Sequence, residues 1–261
     1  MKSSTLKITL IVAIAFGVYY ILDEQYFRIF RSWLHEDVIH QYGISHNIAY
    51  LVSGIPIFLG TILMHRESKF FKSLGLNGSL IKAIKLSLIC TSPMLLGYLI
   101  VFDLNRELTL NTFLISGVAA AFFEEIYFRA FLFGQVFRYT RFGFIPSIFF
   151  GAIIFALSHL YQSSDPATIF GIFITTLLGA ILFAWLYVEW KFSIWIPILL
   201  HFFMNVIWMV FAAGDNALGG VYSNIFRIIT IILVIVLTIK YKGRNGESLT
   251  INRKNIFWKN S

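Results

Sequence analysis

Apolar runs about as long as a bilayer is thick recur along nearly the whole chain, and they leave few folds open. They fall near residues 6–22, 47–64, 81–102, 111–134, 144–160, 167–188, 193–213 and 222–240. About 20 apolar helical residues cross a hydrocarbon core of ~30 Å. The expected architecture is therefore all-α, a polytopic integral membrane protein of about eight transmembrane helices. At 58% hydrophobic and 13% charged residues, the chain has too few polar side chains to cover a water-soluble surface. No repeat, low-complexity tract or linker divides it. Residues 1–261 read as a single membrane domain, with N-terminal spans in 1–110, a core in 111–210 and a basic tail in 241–261.

Charge sets the expected orientation. A net charge of +8 would suit nucleic acid on a soluble basic face, but here the basic residues alternate between loops, so membrane lipid is the expected partner and nucleic acid is not. Lysines and arginines crowd the segments that follow even-numbered spans, whereas the acids Asp23, Glu24, Glu36, Asp37, Asp103, Glu107, Asp165 and Asp215 gather on the opposite side. The positive-inside rule then places both termini in the cytoplasm, and the short, tail-poor chain points to a bacterial plasma membrane. The first run lacks a small-residue cleavage site before Asp23-Glu24-Gln25 and reads as an uncleaved span. Cys90, the single cysteine, reads as a packing residue. The tail after Tyr241 reads as a topology signal lying against anionic lipid.

Against this background the embedded polar residues stand out, because a charge near the bilayer centre costs at least about 2.5–3.5 kcal/mol and needs a partner, a wet cavity or a function. Three occur in the fourth run, Phe122-Phe123-Glu124-Glu125-Ile126-Tyr127-Phe128-Arg129. Glu125 and Arg129 stand at i,i+4 and can pair. Glu124 lies about 100° around the helix from Glu125, which leaves one carboxylate free for chemistry. The fifth run ends in Phe155-Ala156-Leu157-Ser158-His159, and the seventh carries His201-Phe202-Phe203-Met204-Asn205, with His201 and Asn205 on one face.

The ordered motifs E-E-x-x-x-R, F-x-x-x-H and H-x-x-x-N, on separate apolar runs, resemble the CPBP family of intramembrane proteases, which includes the type II CAAX prenyl endopeptidases and the bacterial Abi-domain proteins. The resemblance covers roughly residues 111–210. Amide hydrolysis needs a base to activate water and donors to hold the oxyanion. Glu124 with His159 can supply the first, and His201 with Asn205 the second; the resemblance implies the same assignment. Glu125 and Arg129 are then supporting residues. The expected function is an intramembrane endopeptidase acting on a membrane-associated or hydrophobic peptide or protein, in a polar cavity among spans four to seven. Two histidines and a carboxylate also suit zinc, so Glu124, His159 and His201 are the candidate ligands of a metal-dependent variant; a glutamate-type mechanism with no cofactor is the favoured form, since asparagine is a poor zinc ligand.

Blander readings compete. The same polar residues can be a hydrogen-bonded network joining helices, and a non-enzymatic peptide-binding or immunity protein would keep a similar cavity. A transporter is a third reading, although no inverted repeat or matched pair of broken helices supports it. His35-Glu36-Asp37-Val38-Ile39-His40 has its histidines five apart, about 140° from one another on an α-helix, so it does not form a zincin pair. At these depths a straight helix rising ~1.5 Å per residue puts Glu124 and His201 in the inner half and His159 nearer the outer side, a conflict that geometry has to resolve.

Overall fold

In the computed structural model, which describes residues 2–259, the chain forms a bundle of helices, and no strand occurs among the described residues. The outermost positions of the 1–261 domain and of its 241–261 tail lie outside the described residues. Six helical segments are long and apolar enough to cross a membrane: Thr5–Ile39, Tyr42–His65, Leu80–Val101, Phe144–Gln162, Pro166–Glu189 and Val221–Arg244. Two further apolar helices, Phe113–Phe133 and Trp195–Val210, overlap the other two apolar runs. The first of these carries three charges at its middle and the second is short, which sets them apart from ordinary lipid-facing spans. Both are the helices that bear the polar residues singled out above.

Helix α1, Lys2–Trp33, runs eleven residues past the end of the expected first span at Leu22. Asp23-Glu24-Gln25 lowers the hydropathy there but contains no glycine or proline, and charged residues end a membrane-like run without ending a helix. Asp23 therefore belongs to a helix inside the bundle and not to an outer loop. The second span divides into α2, Tyr42–Ser53, and α3, Ile55–His65, at Gly54. Pro56 sits in the first turn of α3, where its missing N–H costs nothing. A Cβ on Gly54 would stand 1.9 Å from the Tyr127 hydroxyl, so only glycine admits that tyrosine.

Helix α4, Leu80–Val101, starts behind the capping hydroxyl of Ser79. Cys90 is fully buried on it, packed with Ala83, Leu86 and Leu200. The central helix, Phe113–Phe133, is wound wide: its backbone bonds run from i to i+5, as from the Gly134 N–H to the Arg129 carbonyl. It continues through α5, Gly134–Tyr139. Helix α6, Phe144–Leu157, α7, Pro166–Glu189, α8, Trp195–Val210, and α9, Val221–Arg244, complete the bundle. The central helix packs against α2, α6, α7 and α8, and α8 against α4.

One end of the bundle gathers most of the basic residues. There Arg138 reaches the Ser73 carbonyl at 2.6 Å, the Trp195 indole N–H donates to the Leu76 carbonyl at 2.8 Å, and Lys191 pairs with Glu247 at 2.6 Å. The turn from α7 to α8 is held tight by left-handed backbone at Lys191 and Phe192, with φ of 57° and 59°. The segment after α9 is also fixed at this end. Instead of lying free, residues 250–259 cross beneath α5, α6 and α7, because the buried Glu189 carboxylate accepts the Thr250 and Ile251 N–H groups and the Lys242 ammonium.

Candidate functional site

The central helix places Glu124 and Glu125 on neighbouring but different faces. Glu125 is fully buried, and its two oxygens serve two helices: Oε2 lies 3.3 Å from Arg129 Nε, and Oε1 lies 2.9 Å from His201 Nδ1 on α8. The pairing of Glu125 with Arg129 follows the i,i+4 expectation. The link to His201 was not legible in sequence, since it joins residues 76 apart. The Glu125 carboxylate, paired with the Arg129 guanidinium, accepts the Nδ1 hydrogen, which orients the ring and leaves Nε2 facing away. Glu125 thus orients a histidine as well as neutralising an arginine.

Arg129 is 1% exposed. Its guanidinium carbon lies 4.0 Å over the Phe155 ring and 5.7 Å from that of Phe183, so two aromatic faces and one carboxylate replace its water. Nε and Nη1 make no hydrogen bond among the described residues. The charge is held by electrostatics and ring faces rather than by a full fork of hydrogen bonds, and it depends on Glu125 accordingly.

Glu124 is partly exposed and has no hydrogen-bond or ion-pair partner among the described residues. Its surroundings follow from register. On α6, which runs antiparallel, Gly151 lies against Leu132 and Phe155 against Phe128, at a ring separation of 5.2 Å. One turn beyond Phe155 along the chain comes His159. His159 follows the end of α6, its ring 4.5 Å from that of Phe155 and its Nδ1 2.7 Å from the Phe155 carbonyl, which leaves Nε2 free. The wide turn of the central helix also eases the expected conflict of depth. More residues per turn mean less climb per residue than the ~1.5 Å of an α-helix, so Glu124 stays closer to the end at which α6 finishes.

The structure adds two residues that the sequence did not single out. Tyr50 on α2 stacks on Phe123 with ring centroids 5.4 Å apart and planes 6° apart, and its carbonyl is fixed by the Tyr127 hydroxyl at 2.7 Å. Its own hydroxyl lies within electrostatic reach of Glu124 and Asp23. Asp23 is brought to this level by α1, whose Phe16 and Tyr19 pack on Phe128 and Tyr127 at 5.3 and 4.9 Å. One Asp23 oxygen is buried without a hydrogen bond. The missed signal was the spacing Phe16, Tyr19, Asp23, Phe27, one face of a helix that outlasts its hydrophobic run.

Asn205, one turn beyond His201, donates its amide to the Ser116 carbonyl at 2.8 Å and keeps a second N–H. His201 and Asn205 therefore face the central helix together, His201 at Glu125 and Asn205 two turns away. Glu124, His159 and His201 do not meet as one ligand set: among the described residues no three His, Cys, Asp or Glu side chains converge to hold a metal ion. The residues as placed do not fit zinc. One groove of about 380 Å³ lies between α1 and α2, lined by Leu22, Tyr26, Phe30 and Val52, and a recess of about 300 Å³ lies at the basic end beside Lys82, Glu189 and Trp190. Phe155, Phe183 and Phe128 fill the space around Arg129.

An all-helical membrane protein that carries acid, imidazole and amide groups on adjoining helices is thereby defined. Within that class, residues 106–207 match the family model described as type II CAAX prenyl endopeptidase Rce1-like, the same family that the motifs resemble. The matched segment runs from the start of the central helix to α8 and contains every residue of the three motifs. No curated protein and no solved structure matches the chain. The family match supports an intramembrane endopeptidase of the CAAX type in general.

Proposed function

We propose that the chain hydrolyses a peptide bond in a membrane-associated or hydrophobic substrate, with Glu124 and His159 activating water and His201 and Asn205 stabilising the oxyanion. The observation that carries this reading is the division of labour between two adjacent glutamates. Glu125 is consumed by Arg129 and His201, while Glu124 is left without a partner among the described residues.

Glu124 removes a proton from water held against His159, and the resulting hydroxide attacks the scissile carbonyl carbon. Negative charge moves to the carbonyl oxygen. The second Asn205 N–H is a donor available to it, and the His201 Nε2 is another when the ring carries a second proton. Collapse of the tetrahedral adduct breaks the C–N bond, and the proton taken up by Glu124 passes to the leaving amine. The products are a carboxylate and an amine. No step requires a metal.

A C-terminal CAAX peptide carrying an isoprenyl thioether is the substrate class that the family description suggests, and it is the first probe to use. Protein reconstituted in liposomes is expected to cleave it, and Glu124→Gln to lower kcat by 10²-fold or more, in the range that general-base catalysis contributes. Undiminished turnover by Glu124→Gln would falsify the assignment.

A further inference from the structure

The segment after α9 ends in Arg253, Lys254, Phe257, Trp258 and Lys259. Its backbone does a job that the sequence does not announce. The first donors of α6 have no partners within their own helix; here the N–H groups of Gly143, Phe144 and Ile145 donate to the carbonyls of Phe257, Asn255 and Ile256 at 2.8, 2.9 and 2.9 Å. The next residue, Pro146, has no N–H, so the segment satisfies the whole first turn. The Lys259 N–H adds a bond to the Arg141 carbonyl at 2.9 Å. At its other end the segment is tied to Glu189, itself 2% exposed.

While the backbone faces the protein, four of the side chains face out. Phe257 and Trp258 are 62% and 60% exposed, and Arg253 and Lys254 are exposed beside them. Trp258 lies 5.2 Å from Phe142, directly before α6. That helix goes on to present Ile145, Phe149 and Phe150 outward, so the aromatic pair stands where the lipid-facing surface begins. Exposed Lys69, Lys72, Lys240 and Arg244 belong to the same end of the bundle. Aromatic rings level with headgroups, next to exposed cations and without a nearby acid on the segment itself, are complementary to an anionic lipid surface.

We infer that residues 250–259 form a lipid-sensing strap: anionic headgroups hold it through Arg253, Lys254 and Trp258, and the held strap caps α6. Lipid charge is thereby coupled to the helix that His159 follows. The inference does not depend on the hydrolytic reading, because its test measures no cleavage.

Full-length protein in nanodiscs of phosphatidylcholine alone, or of phosphatidylcholine and phosphatidylglycerol at about 3:1, is followed by hydrogen–deuterium exchange. The amides of 250–259 are expected to exchange about thirtyfold more slowly in the anionic discs, a shift of the size that two surface cations provide. Gly143, Phe144 and Ile145 should slow in step with them. Arg253→Gln/Lys254→Gln should erase the difference while keeping the exchange seen in neutral discs. Equal exchange of the natural sequence in both compositions overturns the inference, as does a composition effect that survives in the double variant. A strap that slows while Gly143–Ile145 do not overturns the coupling to α6.

Discussion

At the scale of single residues the decisive event is the splitting of two consecutive glutamates into different chemical environments. Glu125 has its charge matched from two directions, so replacing it strands Arg129 between aromatic rings with no counter-charge. Glu125→Gln is expected to destabilise the protein by roughly 3–5 kcal/mol, the usual consequence of removing one partner of a buried pair, visible as a lowered unfolding midpoint in detergent. Glu124→Gln removes no protein contact, so it should leave that midpoint where it is while activity falls. A variant pair showing the reverse pattern would exchange the two roles. Tyr50 is the third residue at this scale. Its ring is fixed by Phe27, His46 and Phe123, so Tyr50→Phe keeps the packing and removes only the hydroxyl beside Glu124. An altered pH profile of cleavage with an unchanged unfolding midpoint is the expected result, and a profile identical to that of the natural sequence would remove Tyr50 from the site.

At the scale of elements, α6 has its two ends under different control. His159 follows its C-terminus, and the strap closes its N-terminus. Lys259 contributes a titratable contact there, since its ammonium meets the Phe137 carbonyl and ring. Burial pushes that ammonium down to about 8 from its usual 10.5. The docked strap therefore disfavours the charged form, and docking is weakest below pH 8. It strengthens as pH rises from about 8 towards 10.5 and gains nothing beyond. Trp258 fluorescence, taken as the difference from Trp258→Phe, should report this rise, and Lys259→Met should flatten it. The central helix is the other element whose geometry matters. Its wide winding lowers the climb per residue below that of a straight α-helix.

At the scale of the whole molecule, the bundle is asymmetric: basic residues and the strap mark one end, while Asp103, Glu107 and Asp215 mark the other. With Cys90 replaced by alanine, single cysteines at Ser68 and Ser248 should label from one side of a sealed membrane, and one at Asp215 from the opposite side. Labelling of Ser68→Cys and Ser248→Cys from different sides would break the eight-span arrangement. That arrangement was readable because a bilayer imposes length and apolarity on each span, and both are properties of contiguous residues. The chain alone therefore determined that helices cross a membrane, where they fall to within several residues, and which polar side chains are anomalous among them. The pairing of Glu125 with Arg129 was equally local. Contacts between distant segments were not readable: His201 with Glu125, Asp23 and Tyr50 near Glu124, and the strap on α6 depend on how helices rotate and slide against one another. An apolar face sets which side of a helix is buried, but in lipid nearly every face is apolar. Only the packed bundle decides which polar groups meet.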